Sequence, residues 1–323
     1  MSIVIPALLV IVGFALLIKG ADILVDGSSS IAKRFHIPEI VIGLTIVSIG
    51  TSLPEMFVSL TSALNGHSDM SLGNIIGSNL CNFLLILGLA STIRPLKFKK
   101  ETRLIEIPLC LVLTIIFMIF CNTGALISRP ESIALIVLFV MFIGYTVVMG
   151  IKGEKFDKED GESEEVQPKE DKQNSIIKNI IYIVLGIVGL KIGGDLVVEN
   201  ATTIAEFFNI SEQIISLTIV AIGTSLPELV TSVVAAIKGN SDISIGNIIG
   251  SNIFNMALIM GVSSLIKPVT YNLAYNIELG ILILANIVLA LFPVIPPKNE
   301  MSRNNGIIYL IMYVIYTAIL IMV

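Results

Sequence analysis

The chain has 323 residues, of which 54% are apolar and only 14% charged, with a net charge of −5. Soluble domains carry about a quarter charged residues, so too few polar side chains remain here to cover a water-facing surface. The composition describes a membrane protein, and no basic patch interleaved with aromatics marks it for nucleic acid.

Ten apolar segments follow in order, at about 3–31, 39–64, 70–92, 104–121, 131–150, 177–204, 212–237, 243–265, 274–294 and 306–323. Most approach the roughly 20 residues that a helix needs to cross about 30 Å of hydrocarbon. The first lacks the positive leader of a secretory signal and reads as a retained span. One polar stretch, 152–175, holds nine acids and five lysines without apolar periodicity, as expected of a solvated linker. The chain thus divides into a five-helix unit at 1–151, the acidic linker at 152–175 and a second five-helix unit at 176–323.

With the N-terminus outside, sixteen Lys and Arg fall in inside loops and two, Arg129 and Lys267, in outside loops. This asymmetry predicts both termini outside and the linker in the cytoplasm. Cys81, Cys110 and Cys121 lie in apolar surroundings without metal-ligand spacing and read as packing residues.

The two units are repeats offset by 173 residues. Positions 44–82 align without a gap to 217–255, and 25 of those 39 positions are identical. An odd number of spans per repeat inverts the second copy. The expected fold is therefore an all-α polytopic membrane protein with ten transmembrane helices in two inverted five-helix repeats, an arrangement that frames a midplane site in many secondary transporters.

The repeated motifs, within 43–83 and 216–256, carry the polar groups. Gly50-Thr51-Ser52-Leu53-Pro54-Glu55 recurs as Gly223-Thr224-Ser225-Leu226-Pro227-Glu228. A carboxylate at bilayer depth costs about 2.5–3.5 kcal/mol on insertion scales, so two at matched positions point to function. On a continuous helix Thr51 and Glu55 share a face. Pro54 cannot bond the Gly50 carbonyl, so carbonyls near Ser48 and, in the second copy, Ala221 become candidate ligands. The neighbouring span supplies Gly73, Asn74, Gly77, Ser78, Asn79 and Asn82, matched by Gly246, Asn247, Gly250, Ser251, Asn252 and Asn255. All the donors are hard oxygens, suited to Ca²⁺, Na⁺ or Mg²⁺. The only histidines, His36 and His67, fall in loops.

Plainer readings apply to some of these residues. The glycines suit close helix packing, and a membrane serine or threonine often bonds its own backbone. Asp22, Asp26, Asp195 and Glu199 lie beyond the most apolar stretches, with Lys19 or Lys191 to pair the nearest aspartate. Glu106 and Glu278, near span starts, are expected to reach the interface. A hydrolase built on Ser52 or Ser225 lacks a histidine in any span, so no enzyme is expected. A cation channel lined by acids is the alternative among transport classes.

At these motifs the sequence resembles a cation/calcium exchanger of the sodium/calcium exchanger type, in its compact prokaryotic form. The resemblance spans the whole chain and implies an antiporter of the plasma membrane that extrudes Ca²⁺ against Na⁺, electrogenically, by sliding two helices over a rigid core. It implies no prosthetic group, Ca²⁺ and Na⁺ as substrates, and no obligatory protein partner. By position it implies that Thr51, Glu55, Thr224 and Glu228, with backbone oxygens of Ser48 and Ala221, hold Ca²⁺. Ser52, Ser78, Ser225 and Ser251 would hold Na⁺ around Asn82 and Asn255. Position 255 is asparagine where potassium-dependent relatives typically carry aspartate, which disfavours K⁺ co-transport. The proton-coupled branch usually follows its acid with histidine, whereas Met56 and Leu229 stand here.

Overall fold

The computed structural model describes residues 3–156, 176–208 and 221–322. Twelve helices are present among them. The first half holds α1 (Val4–Phe35), α2 (Glu39–Thr51), α3 (Leu53–Asn65), α4 (Ser68–Ile93), α5 (Thr102–Asn122) and α6 (Arg129–Phe156). The second repeats the series as α7 (Ile176–Phe207), α8 (Ala221–Gly223), α9 (Leu226–Lys238), α10 (Ser241–Ile266), α11 (Leu273–Leu291) and α12 (Arg303–Met322). Seven of these helices are long and apolar enough to cross a membrane, or eight if the bent pair α2–α3 counts as one span. The expected span at 212–237 falls partly outside the described residues. The one expected at 306–323 corresponds to α12, whose first turn carries Arg303, Asn304 and Asn305. Helix α6 runs on to Phe156, beyond the expected edge of the linker.

Burial sorts the helices. In α4 and α10, 78% and 83% of the membrane-length window is buried, against 33% in α1 and in α7. The motif helices are therefore the centre, and the most apolar helices turn residues such as Ile11, Val140, Met141 and Val314 outward, as lipid requires. One apolar core joins α4, α5, α6, α10, α11 and α12. A second belongs to α1 and α7, with a few residues of α2, α9 and α10.

Glycines seven residues apart make the α1–α7 pairing. A Cβ on Gly20 would lie 2.9 Å from the Gly186 carbonyl, and one on Gly193 2.7 Å from that of Gly13. The contacts run in opposite chain directions, so the two helices are antiparallel. They form a two-helix body beside the larger core.

Two short antiparallel strand pairs tie the repeats together. β1 (Leu96–Lys97) pairs with β4 (Glu300–Met301), and β2 (Leu126–Ile127) pairs with β3 (Val269–Thr270). Each joins the end of one repeat's central helix to a connection in the other repeat, so the core is clipped at both ends.

Glu106 departs from expectation. It is fully buried and accepts a hydrogen bond from the Tyr145 hydroxyl at 3.2 Å. The first turn of α5, Thr102–Glu106, is π-wound. Its extra residue per turn rotates the carboxylate from the rim into the protein.

Candidate functional site

Helices α2 and α3 meet at a bend of 51°. Pro54 in the first turn of α3 cannot donate to the preceding turn, and Ser52 sits at the break with φ −85° and ψ 10°. Ser225 adopts the same conformation, φ −87° and ψ 6°, before Pro227. Each glutamate thus stands in the first turn of a half-helix, Glu55 on α3 and Glu228 on α9. There the exposed N–H groups and helix dipole favour a negative charge.

The two halves hold each other's acids. The Ser52 hydroxyl donates to Glu228 Oε1 at 2.8 Å, and the Ser225 hydroxyl donates to Glu55 Oε1 at 3.3 Å. The continuous helical face expected to join Thr51 to Glu55 is therefore interrupted. The proline bend falls between them, and each threonine donates to an asparagine of the opposite repeat, Thr51 to Asn247 Oδ1 at 3.0 Å and Thr224 to Asn74 Oδ1 at 3.5 Å.

Helices α4 and α10 are joined by an asparagine lattice. Asn82 Nδ2 donates to Asn252 Oδ1 and Asn255 Nδ2 to Asn79 Oδ1, both at 2.9 Å. Asn79 and Asn252 donate to each other's backbone carbonyls at 3.4 Å. Every bond has its mate at the 173-residue offset, the pattern of a local two-fold axis. Asn82 and Asn255 lie in π-wound segments, Cys81–Leu87 and Phe254–Ile259, a feature that spacing alone does not reveal.

Of the candidate ligands, Ser48, Thr51, Ser52, Glu55, Ser78, Asn82, Ser225, Glu228, Ser251 and Asn255 are all buried, and Thr224 is partly exposed. Ala221 opens α8 next to them in the chain. The Ser48 carbonyl is not freed by Pro54: it accepts from Ser52 N at 3.0 Å and from the Ser251 hydroxyl at 3.5 Å. Four supporting residues have no role assigned by sequence reasoning. Asn74 and Asn247 stand out only as members of the motif, and Ser59 and Ser232, one helical turn beyond the acids, carry no signal except their repetition at the 173-residue offset. Asn74 Nδ2 donates to Ser59 Oγ at 2.8 Å, and Asn247 Nδ2 to Ser232 Oγ at 2.9 Å.

Five oxygens here are buried without a partner: Glu55 Oε2, Glu228 Oε2, Ser78 Oγ, Asn82 Oδ1 and Asn255 Oδ1. Leaving one such group unsatisfied costs about 1–3 kcal/mol, and more when it is charged. Two carboxylates, two amide oxygens and a hydroxyl answer to one kind of guest, a hard cation. Among the described residues no cluster of three or more His, Cys, Asp or Glu offers a conventional metal site.

Further out, the expected pairs form, Lys19–Asp22 at 2.7 Å and Lys191–Asp195 at 2.6 Å. An unexpected one joins them: Lys238, at the end of α9, contacts Asp22 at 2.5 Å and Asp26 at 2.6 Å. The three free cysteines are buried.

Residues 5–148 and 178–322 match the family model described as sodium/calcium exchanger protein. The chain is 35% identical over 284 residues to the inner membrane protein YrbG of Escherichia coli, covering 88% of this chain and 87% of that one. It is 32% identical over 343 residues to the sodium/calcium exchanger MaX1 of Methanosarcina acetivorans, covering 97% of each. Among solved structures, the sodium-calcium exchanger NCX_Mj soaked with Na⁺ and Ca²⁺ superimposes with a TM-score of 0.84 at 30% identity, covering 98% of this chain and 99% of that one.

Proposed function

The chain belongs to the sodium/calcium exchanger protein family, and from that premise we propose that this cation/Ca²⁺ antiporter couples Ca²⁺ extrusion to Na⁺ entry at the paired-glutamate site. The observation that carries the reading is the set of five unpartnered buried oxygens, two of them carboxylate, around one two-fold centre. Thr51, Glu55, Thr224 and Glu228, with the Ala221 carbonyl, are the proposed Ca²⁺ ligands; the Ser48 carbonyl joins them where its bonds from Ser52 and Ser251 open. Ser52, Ser78, Ser225 and Ser251 are the proposed Na⁺ ligands, with Asn82 and Asn255 at the centre. The two carboxylates are balanced by one divalent ion or by two or more monovalent ions, so the site disfavours standing empty and accepts either set.

The reading extends to topology. Ten spans in two inverted repeats, at 1–151 and 176–323, would lie in the plasma membrane with both termini outside and 152–175 in the cytoplasm. The antiparallel run of the equivalent helices α1 and α7 supports the inversion, and the sixteen-to-two distribution of basic residues supports the orientation. The site is entered from the Gly66–His67 end. Asn74, Gly77 and Thr224 are partly exposed there, whereas the matching Asn247, Gly250 and Thr51 are buried. In the proposed orientation that end is outside.

Purified protein in liposomes tests this with Na⁺, K⁺ and H⁺ gradients imposed one at a time. A Na⁺ gradient is expected to drive Ca²⁺ uptake, with Glu55→Gln abolishing it. Uptake driven equally by a pH gradient without Na⁺ would replace Na⁺ with H⁺ as the coupling ion. Unitary currents in a planar bilayer would replace exchange with a channel.

A further inference from the structure

In the first repeat the unpartnered oxygens come from two helices. Glu55 Oε2 belongs to α3, whereas Ser78 Oγ and Asn82 Oδ1 belong to α4. One amide fastens these helices together beside the acid. Asn74 Nδ2 donates to the Glu55 carbonyl at 3.3 Å and to Ser59 Oγ at 2.8 Å, two acceptors one turn apart on α3. Ser59 returns a bond to the Ser71 carbonyl of α4 at 3.5 Å, which closes the ring of contacts. A carbonyl only accepts, so the amide nitrogen must be the edge that faces α3. On α4, Asn74 stands one turn before Ser78. The second repeat has the same grip. Asn247 Nδ2 lies 2.9 Å from Ser232 Oγ and 3.5 Å from the Glu228 carbonyl, one turn before Ser251 on α10.

We infer that Asn74 and Asn247 are positioning residues that fix the register of each acid's half-helix against α4 or α10, and with it the balance between Na⁺ and Ca²⁺. This rests on the ligand sets proposed above and names what aligns them. A binding constellation tolerates displacements of about 0.5 Å, whereas a slip of one residue along a helix is about 1.5 Å. A loosened grip therefore parts Glu55 Oε2 from Ser78 Oγ and Asn82 Oδ1 well before the helices separate. The two ions feel this differently. The proposed Na⁺ set draws on α4 and α10 through Ser78 and Ser251. The proposed Ca²⁺ set has no member on either helix, since its residues lie on α2, α3, α8, α9 and the turn between the last two. Ser59 and Ser232 belong to neither set and serve the grip alone.

Asn74→Leu in liposomes tests the assignment, with the half-saturation concentrations of Na⁺ and Ca²⁺ measured separately on Na⁺-driven Ca²⁺ uptake. Loss of both donors is expected to raise the Na⁺ value about tenfold and the Ca²⁺ value about threefold or less. Ser59→Ala, which removes one of the two acceptors, is expected to raise the Na⁺ value about threefold. The same order is expected in the ion-induced rises of Tm in detergent, which need no transport. A role in stability alone would lower the ion-free Tm and the maximal rate while leaving both half-saturation values at wild type, and that result would overturn the proposal. Equal rises for the two ions would overturn it too. If Asn74→Leu does not fold, Ser59→Ala separates the same outcomes. Wild-type protein with neither Na⁺-driven uptake nor a Ca²⁺-dependent Tm would instead overturn the functional reading, and this inference with it.

Discussion

The two ends of the binding site are built from largely the same residues yet differ in packing. At one end Gly250 is pressed onto α2, where an added Cβ would lie 2.6 Å from Ser48 Oγ and 2.7 Å from the Leu44 carbonyl. At the other end Gly77, its repeat mate, would meet nothing within 4 Å among the described residues. Thr51 and Asn247 are 3.0 Å apart and buried, whereas Thr224 and Asn74 are 3.5 Å apart and partly exposed. Helix α1 packs along α9, but among the described residues α7 makes no comparable contact with α3. Ser48, which Gly250 meets, has Ala221 as its mate, so part of the glycine contrast is written in the sequence. The different spacing and exposure of the identical Thr–Asn pairs belongs to a conformational state. Exchanging the two environments would turn the accessible end into the closed one.

The glutamates test the comparison most severely. Being related by the two-fold pattern of Ser52 and Ser225 bonds, Glu55→Gln and Glu228→Gln should each reduce Na⁺-driven Ca²⁺ uptake to background. A variant of either that retained substantial flux would show that the halves do not contribute equally.

Glycine substitutions separate state from architecture. Gly250→Ala forces a methyl group against backbone and Ser48, so it should destabilise the protein by about 1–3 kcal/mol, read as a lower Tm. Gly77→Ala meets nothing within 4 Å among the described residues, so on those contacts it should lower Tm less than Gly250→Ala. If the open end must close as its mate has closed, Gly77→Ala should nonetheless slow exchange about tenfold or more. Wild-type turnover in Gly77→Ala would mean that the two ends do not trade conformations.

Much of this site is legible in the sequence because the repeat writes it twice: the broken helices, the paired acids and the oxygen-only donors follow from local residue chemistry. What escaped depends on contacts between distant segments. Lys238 meets Asp22 and Asp26 more than 200 positions away, so spacing pairs those aspartates only with Lys19. Gly13, Gly20, Gly186 and Gly193 read as ordinary small residues until α1 and α7 are laid side by side. Glu106 is misjudged because a π turn changes which face a residue takes, and no residue pattern announces that turn. Which end stands open is not read from the glutamates, threonines and asparagines of the motifs, which are the same in both copies.

One difference between the ends is written in the chain itself. The residue that closes α9 is Lys238, and its mate at the end of α3 is Asn65. Lys238 reaches from the closed end to Asp22 and Asp26 of α1, and donates to the Asp22 carbonyl at 3.0 Å. On α7 the equivalent Asp195 is 51% exposed and pairs with its own neighbour Lys191. Asn65 has no charge with which to hold α7 in the mirrored state, so the ion pairs favour the state seen here. Partly exposed pairs contribute little, about 0.2–1 kcal/mol each, so the bias is small. Lys238→Asn restores the symmetry of the repeat and should shift the population toward closure of the open end by a few-fold. Spin labels at Leu64 and Phe207, both exposed, report it as growth of a shorter-distance population. Asn65→Lys in the Lys238→Asn background should reverse the preference, because the cation then faces Asp195 and Glu199 instead. Distance distributions indifferent to both changes would place the bias elsewhere in the packing of α1 against α9.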